Sequence, residues 1–231
     1  AILEKIANDT EDDEIKSVER NLWLKIRRKT IEGRRTGIGI TAEGDILASL
    51  NLRYGSDDAI DFAVEVHKSL AVEAYRSSVY TAKERGAFPI FNAQREKDNP
   101  FINRIKAEDE ELYKEMTTYG RRNIALLTIA PTGTTSLMTQ TTSGIEPVFM
   151  PYYKRRRKVN PNDKNVKVSF VDKVGDSWEE FNVFHHKFLV WMEVNGYNPE
   201  EVKNYDDEQL SELVQKSPYY KATSNDVDWL S

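Results

Sequence analysis

No cysteine occurs among the 231 residues. Disulfides, thiolate metal sites and cysteine nucleophiles are therefore excluded from this chain. No apolar run approaches the roughly 20 residues that a membrane-spanning helix needs. The opening AILEKIANDTEDDEIK lacks the basic-then-apolar order of a signal peptide. A cytoplasmic location with no membrane partner is the expectation. Charge of one sign is also scarce. Charged residues make up 31% of the chain, yet they sum to only -5, which argues against a general nucleic-acid or membrane-surface binder. Neither an internal repeat nor a low-complexity linker is visible. What is present is a 39% hydrophobic content, enough to bury the core of one or two domains.

Both ends read as abrupt. The chain opens in mid-helix, with Ile15, Val18, Leu22 and Ile26 at helical spacing, and closes on ATSNDVDWLS with the apolar pair Trp229–Leu230. An internal piece of a longer protein is the expectation. The strongest helix covers 57–85, with one stripe running through Ile60, Val64, His67, Ala71, Tyr75, Val79 and Ala82. Ser56 caps its start and Gly86 ends it. Further helices are expected over 41–50 and over 100–119, the latter with Phe101, Ile105, Leu112 and Met116 inward. MPYYKRRRKVNPNDKNVKVSF reads as two extended pieces around an Asn-Pro-Asn-Asp turn. Ser177 and Glu180 form a capping box that predicts a helix to Asn195, closed by Gly196, with an aromatic face of Trp178, Phe181, Phe184, Phe188 and Trp191. A last helix is expected over 206–216.

The chemically richest stretch is IAPTGTTSLMTQTTSGIEP, residues 129–147. It follows NIALLTIA, which reads as a buried strand ending at Thr128, and it turns into a helix expected over 134–140. A helix start offers unpaired N–H groups and a partial positive charge, so it suits phosphate. Gly133 allows close backbone approach, and Thr132, Thr134, Thr135 and Ser136 add hydroxyls. No lysine follows, so this is not the Walker pattern. An ordinary hydroxyl-rich helix cap is the competing reading. Gly37, Gly39 and Gly44 miss the dinucleotide spacing and suit a tight strand-to-helix turn. His67 reads as a packed histidine. His185 and His186 are adjacent, point about 100° apart on a helix, and cannot share a metal in the manner of an i, i+4 pair; no metal site is assigned. Lys154 to Lys158 form a dense basic run whose charges alternate faces in an extended segment. It reads either as solvated surface or as facing a polyanion.

IAPTGTTSLMTQTTSGIEPVF resembles the phosphate-loop region of ribonucleotide reductase catalytic chains, above all the adenosylcobalamin-dependent class II branch. RRTGIGITAEGDILASLNLRYGSDDAIDFA, YRSSVYTAKERGAFPIF and SPYYKATSNDVDW resemble other segments of those enzymes in the same order. The resemblance implies an α/β fold, a ten-stranded barrel of two five-stranded halves. This helix-rich chain would be one partial barrel domain over 1–231: mainly helical over 1–120, strand, phosphate loop and helix over 121–150, and an extended pair with helices over 151–231. It implies reduction of ribonucleotides to deoxyribonucleotides by thiyl-radical chemistry. Pro131, Thr132, Gly133, Thr134, Thr135 and Ser136 would hold the phosphates of a ribonucleoside di- or triphosphate. Adenosylcobalamin is the implied cofactor of the complete enzyme. A radical-initiating small subunit, as in class I, is the other option, and no residue here separates the two. The family's radical and redox cysteines are absent, so the chain is expected to be inactive alone, to pair with the remainder of the catalytic chain, and to self-associate through exposed apolar surface. A non-catalytic nucleotide-binding or regulatory module related to the reductase is the alternative.

Overall fold

A computed structural model describes residues 1–160, 162–163 and 166–228. Pro161 of the expected turn and the Trp229–Leu230 pair lie outside the described residues. In chain order the elements are α1 (Ile2–Ala7), α2 (Asp13–Gly33), α3 (Glu43–Ser49), α4 (Asp57–Arg85), α5 (Ala93–Glu96), α6 (Pro100–Glu108), α7 (Glu110–Tyr119), α8 (Gly133–Thr139), β1 (Tyr152–Lys158), β2 (Phe170–Val171), β3 (Ser177–Phe184), α9 (His186–Val194), α10 (Pro199–Val202) and α11 (Asp207–Gln215). They divide into two compact units, one of residues 1–39 and 65–128, the other of residues 40–64 and 129–231.

In the first unit, Ala71, Tyr75 and Val79 of α4 pack with Ile102, Ile105, Leu112, Met116 and Leu126. The expected single helix over 100–119 is two helices. Asp109 sits in extended conformation between them and caps α7, its Oδ1 accepting the Leu112 N–H at 2.8 Å. A carboxylate that satisfies a first-turn N–H competes with helix continuation, which is why Asp breaks a run that apolar spacing alone predicts as continuous. The Asp109 carboxylate also receives Arg76 Nη2 at 2.5 Å. Arg121 is buried beneath the rings of Tyr75, Phe88 and Phe91, where Glu96 pairs with both of its terminal nitrogens. It also donates to the Asn123 and Ile124 carbonyls, fixing where the next segment starts.

That segment is the expected buried strand, and the expectation needs correcting. Residues 124–128 are extended and run parallel to 33–38, with Ile38 N–H on Leu126 O at 2.7 Å and Thr128 N–H on Ile38 O at 2.9 Å. Only Leu126 is buried; Thr128 is exposed and Ile129 is 69% exposed. A continuous apolar run signals a strand covered on both faces, and the described residues supply a single neighbouring strand. Gly37 and Gly39 make that neighbour possible: a Cβ at Gly39 would lie 2.3 Å from Thr128 O. The helical spacing in α2 is as expected, yet its stripe faces outward, with Ile15, Val18, Leu22 and Ile26 at 41–65% exposure. The α4 stripe likewise holds only in part, since Ile60 and Val64 are exposed.

In the second unit, β3 is central to an antiparallel sheet of order β1-β3-β2, with Tyr152 opposite Phe184 and Phe170 opposite Trp178. The predicted helix from Ser177 is therefore wrong over its first half. Trp178, Phe181, Val183 and Phe184 suit a pleated surface, and a strand with a partner on each side outweighs a four-residue capping signature. The helix begins only at His186, and its chain leaves through Gly196 at φ 80°. The basic run is β1, where Arg156 pairs with Glu180, Arg157 with Glu179, Lys158 with Asp176 and Lys154 with Asp207. Carboxylates on β3, just before it and on α11 thus neutralise four of the five charges. Phe188 and Met192 of α9 form the core with Ala48, Val148, Val202, Leu210, Leu213 and Tyr219.

Candidate functional site

Thr132 carries the local geometry of the hydroxyl-rich loop. It precedes α8 in the left-handed region, at φ 44° and ψ 26°. For a non-glycine residue this conformation costs on the order of 1–3 kcal/mol and persists only where neighbours impose it. Those neighbours are visible. Thr132 Oγ1 shares a hydrogen bond with Thr41 Oγ1 at 2.8 Å and accepts the Gly144 N–H at 2.7 Å. Pro131 O accepts the Ser143 hydroxyl. With its hydroxyl engaged there, Thr132 makes no side-chain cap to α8.

The consequence falls on the helix start. Ser136 N–H reaches Thr132 O at 2.9 Å, but the N–H groups of Gly133, Thr134 and Thr135 have no acceptor among the described residues. These are the donors a helix ordinarily leaves for a cap, water or ligand. Pro131, Gly133, Thr134 and Thr135 are exposed, Thr132 is half-buried and Ser136 is buried. Ser136 Oγ donates to Gly133 O at 2.9 Å, so its proton is committed inside the helix. Gly133 has ordinary helical backbone, and a Cβ there would meet nothing within 4 Å. The strained position is Thr132, one residue before the glycine on which sequence reasoning concentrated. The six sequence-selected residues thus split by role: Pro131, Thr132 and Ser136 build the loop, while Gly133, Thr134 and Thr135 present open backbone donors to solvent.

Sequence reasoning missed the support. Asp45 of α3 is buried, and its Oδ2 accepts the Thr142 N–H at 2.8 Å while its own N–H reaches Thr142 Oγ1 at 3.2 Å. Oδ1 accepts Tyr219 Oη at 2.9 Å and lies 2.8 Å from His185 Nε2. Burial pushes the Asp45 carboxyl up, but the His185 contact, the Thr142 amide and the Tyr219 hydroxyl outweigh it and hold the group below the usual carboxylate range. Burial, then the charge of Asp45, pushes the Tyr219 phenol up. Asp45 and its three partners come from four separate stretches of chain, so no local pattern announces them. His185 is thus a partner of a carboxylate just before α9, and His67 is a half-buried residue of α4. Among the described residues no cluster of three or more His, Cys, Asp or Glu has metal-holding geometry. No helix there is long and apolar enough to cross a membrane.

The family described as ribonucleotide reductase, barrel domain, matches residues 13–227. A vitamin B12-dependent ribonucleoside-diphosphate reductase of Mycobacterium tuberculosis (strain ATCC 25618 / H37Rv) is 30% identical over 143 residues, covering 62% of this chain and 18% of that protein. A protein of the same description from Thermoplasma acidophilum is 31% identical over 126 residues, covering 54% of this chain and 14% of its own length. The ribonucleoside-diphosphate reductase subunit alpha of Treponema pallidum is 27% identical over 128 residues, with 54% and 15% covered. The chain spans less than a fifth of the length of these relatives.

Proposed function

The chain belongs to the ribonucleotide reductase barrel-domain family, and on that premise we propose that it forms part of a reductase catalytic chain and holds the phosphates of the ribonucleotide substrate. In this reading its strand, loop and helices are one portion of a ten-stranded α/β barrel. One observation carries the phosphate assignment: Thr132, the residue placed to cap α8, spends its hydroxyl on Thr41 and Gly144, leaving three first-turn N–H groups open. An ordinary capping threonine would do the reverse. A phosphate oxygen can accept from the Gly133, Thr134 and Thr135 N–H groups and from the Thr134 and Thr135 hydroxyls, with the helix dipole adding to the attraction.

The same chain holds no thiol to form a thiyl radical. Its part is to bind and orient the substrate while the radical arises on the remainder of the catalytic chain. Relatives whose names state vitamin B12 dependence support adenosylcobalamin as the cofactor of the complete enzyme. That group supplies the initiating radical when bound. No cluster among the described residues fits its metal, so no residue of this chain is assigned to it. The exposed stripe of α2 in the first unit and, separately, Leu137 and Met138 of α8 in the second, at 81% and 82% exposure, are apolar surfaces suited to the remaining catalytic chain.

Calorimetric titration of the chain with ADP and with adenosine tests the phosphate assignment. ADP should bind at least tenfold more tightly, about 1.4 kcal/mol. Equal affinity for the two ligands removes the loop from the substrate site.

A further inference from the structure

The loop's left-handed residue is held by a segment 12 residues further on, and that segment is held in turn by a buried carboxylate. We propose that Asp45 is a positioning residue for the phosphate loop, acting through Thr142 and Gly144 on Thr132; this rests on the phosphate reading above.

The chain of contacts is continuous. Asp45 and Thr142 exchange two hydrogen bonds, Asp45 Oδ2 accepting from the Thr142 backbone and Thr142 Oγ1 accepting from the Asp45 backbone. This reciprocal pair fixes residue 142 in both position and orientation. Two residues on, the Gly144 N–H meets Thr132 Oγ1 at 2.7 Å, and the Gly144 carbonyl accepts from the Glu43 N–H at 3.3 Å. The turn is therefore clasped to the start of α3 at both ends. Gly144 sits at φ 51°, where a built Cβ would come 3.0 Å from Ala130 O, so the backbone passes close to the loop's own entry. Removing the Asp45 carboxylate would leave the Thr142 amide, in a buried position, without its acceptor. The turn would lose its fixed point, and Thr132 would be free to leave the left-handed region for an ordinary capping conformation. Its hydroxyl would then satisfy the N–H groups that phosphate is to receive.

Asp45 is itself oriented. His185 and Tyr219 both meet Oδ1, which leaves Oδ2 to Thr142 alone. The His185 and Tyr219 rings stand edge to face at 5.8 Å, so the two partners brace one another. A core carboxylate serving stability alone would need only saturation of its oxygens. Here one oxygen is given wholly to the turn that carries the loop's anchor.

The test uses two variants and two readouts. Asp45→Ala removes the clasp. Thr142→Val is nearly isosteric, keeps the Thr142 amide on Asp45, and removes only the returning bond. Amide hydrogen exchange at Gly144 reports whether the turn is held, with Met192 and Leu213 as reporters of the core. ADP and adenosine affinities report whether the loop is set for phosphate. Gly144 exchange should accelerate about tenfold or more in Asp45→Ala and by less in Thr142→Val, with core exchange unchanged in Thr142→Val. The preference for ADP over adenosine should fall in the same order, by roughly tenfold to a hundredfold for the larger change. Unchanged Gly144 exchange in Thr142→Val overturns the proposal even where Asp45→Ala fails to fold. Faster exchange with an intact ADP preference also overturns it, since the turn would then be irrelevant to binding. Wild-type chain that shows no preference for ADP fails before any substitution is made, and it rejects the phosphate reading together with this one.

Discussion

Two kinds of helix start coexist in this chain, and they treat the same backbone donors in opposite ways. At α11, Asp206 Oδ1 accepts the Gln209 N–H at 2.9 Å while Gln209 Oε1 accepts the Asp206 N–H at 3.0 Å. At α7, Asp109 receives the Leu112 N–H. In both, the capping side chain takes a first-turn N–H of its own helix. At α8 the residue in the capping position is also a good capping type, yet its side chain is turned to Thr41 and Gly144 and its backbone is strained. The difference lies in what else competes for the side chain. A capping residue becomes part of a binding loop when a neighbouring segment claims its hydroxyl and leaves the helix dipole unanswered.

The sharpest way to break this comparison is Gly133→Val. Gly133 has no left-handed strain and open space where a side chain would go, so the substitution blocks the approach of an anion without disturbing the fold. More than one charge-assisted hydrogen bond should be lost, so ADP affinity should fall by about 3 kcal/mol or more while adenosine affinity holds. Unchanged ADP binding in a folded Gly133→Val chain would falsify the open-start reading. Thr134→Ala and Thr135→Ala come next. Each should weaken ADP by about 1.5–3 kcal/mol, one hydrogen bond to a charged group, and leave thermal stability nearly untouched. A loss of stability without a loss of affinity would make α8 a capped helix like the others.

The closed starts should behave in the opposite sense. Asp109→Ala removes a cap and the partner of Arg76; it should cost about 0.5–2 kcal/mol in urea unfolding with no change in ADP affinity. Acid provides the smallest and most general probe. The Leu112 amide and then Arg76 hold the Asp109 carboxyl below its ordinary range, and the Asp45 carboxyl is held low as well. A depressed folded-state pKa contributes stability that is complete above the unfolded value of about 3.9 and is lost as pH falls through the folded one. Unfolding midpoints should therefore stay level from about pH 7 to 5 with respect to these two groups and drop below about pH 4. Asp109→Ala should show a shallower acid limb than wild type. Identical limbs would mean that Asp109 is not held low.

Much of the helical order was legible because it rests on contacts within one turn. Asp206 with Gln209, Ser56 before α4, Gly86 after it and Gly196 after α9 all act over a few residues, and each could be read from spacing. The start of α8 was legible for the same reason. Legibility failed where partners lie far along the chain. Ser177 to Phe184 carries a sound capping box, yet β1 and β2 pair with it and make it a strand. The apolar run before the loop looked like a fully covered strand, but among the described residues 33–38 is the single extended segment that pairs with it. Asp109 was a near miss: its residue type was readable as a cap, and apolar periodicity across it concealed the break.

Composition alone excluded thiol chemistry, and local spacing located the loop, since both depend on residues present or adjacent in the chain. Which hydroxyls are free was settled elsewhere. Thr41, Thr142, Gly144 and Asp45 are brought to Thr132 by folding, and a hydroxyl oxygen that accepts from the Gly144 N–H is turned away from the helix N–H groups. That choice depends on Thr41, 91 residues away, and on a turn 12 residues on that is itself held by Asp45 across 97 residues; hydrogen-bond geometry resolves such contacts within a few tenths of an ångström, and residue spacing does not encode them.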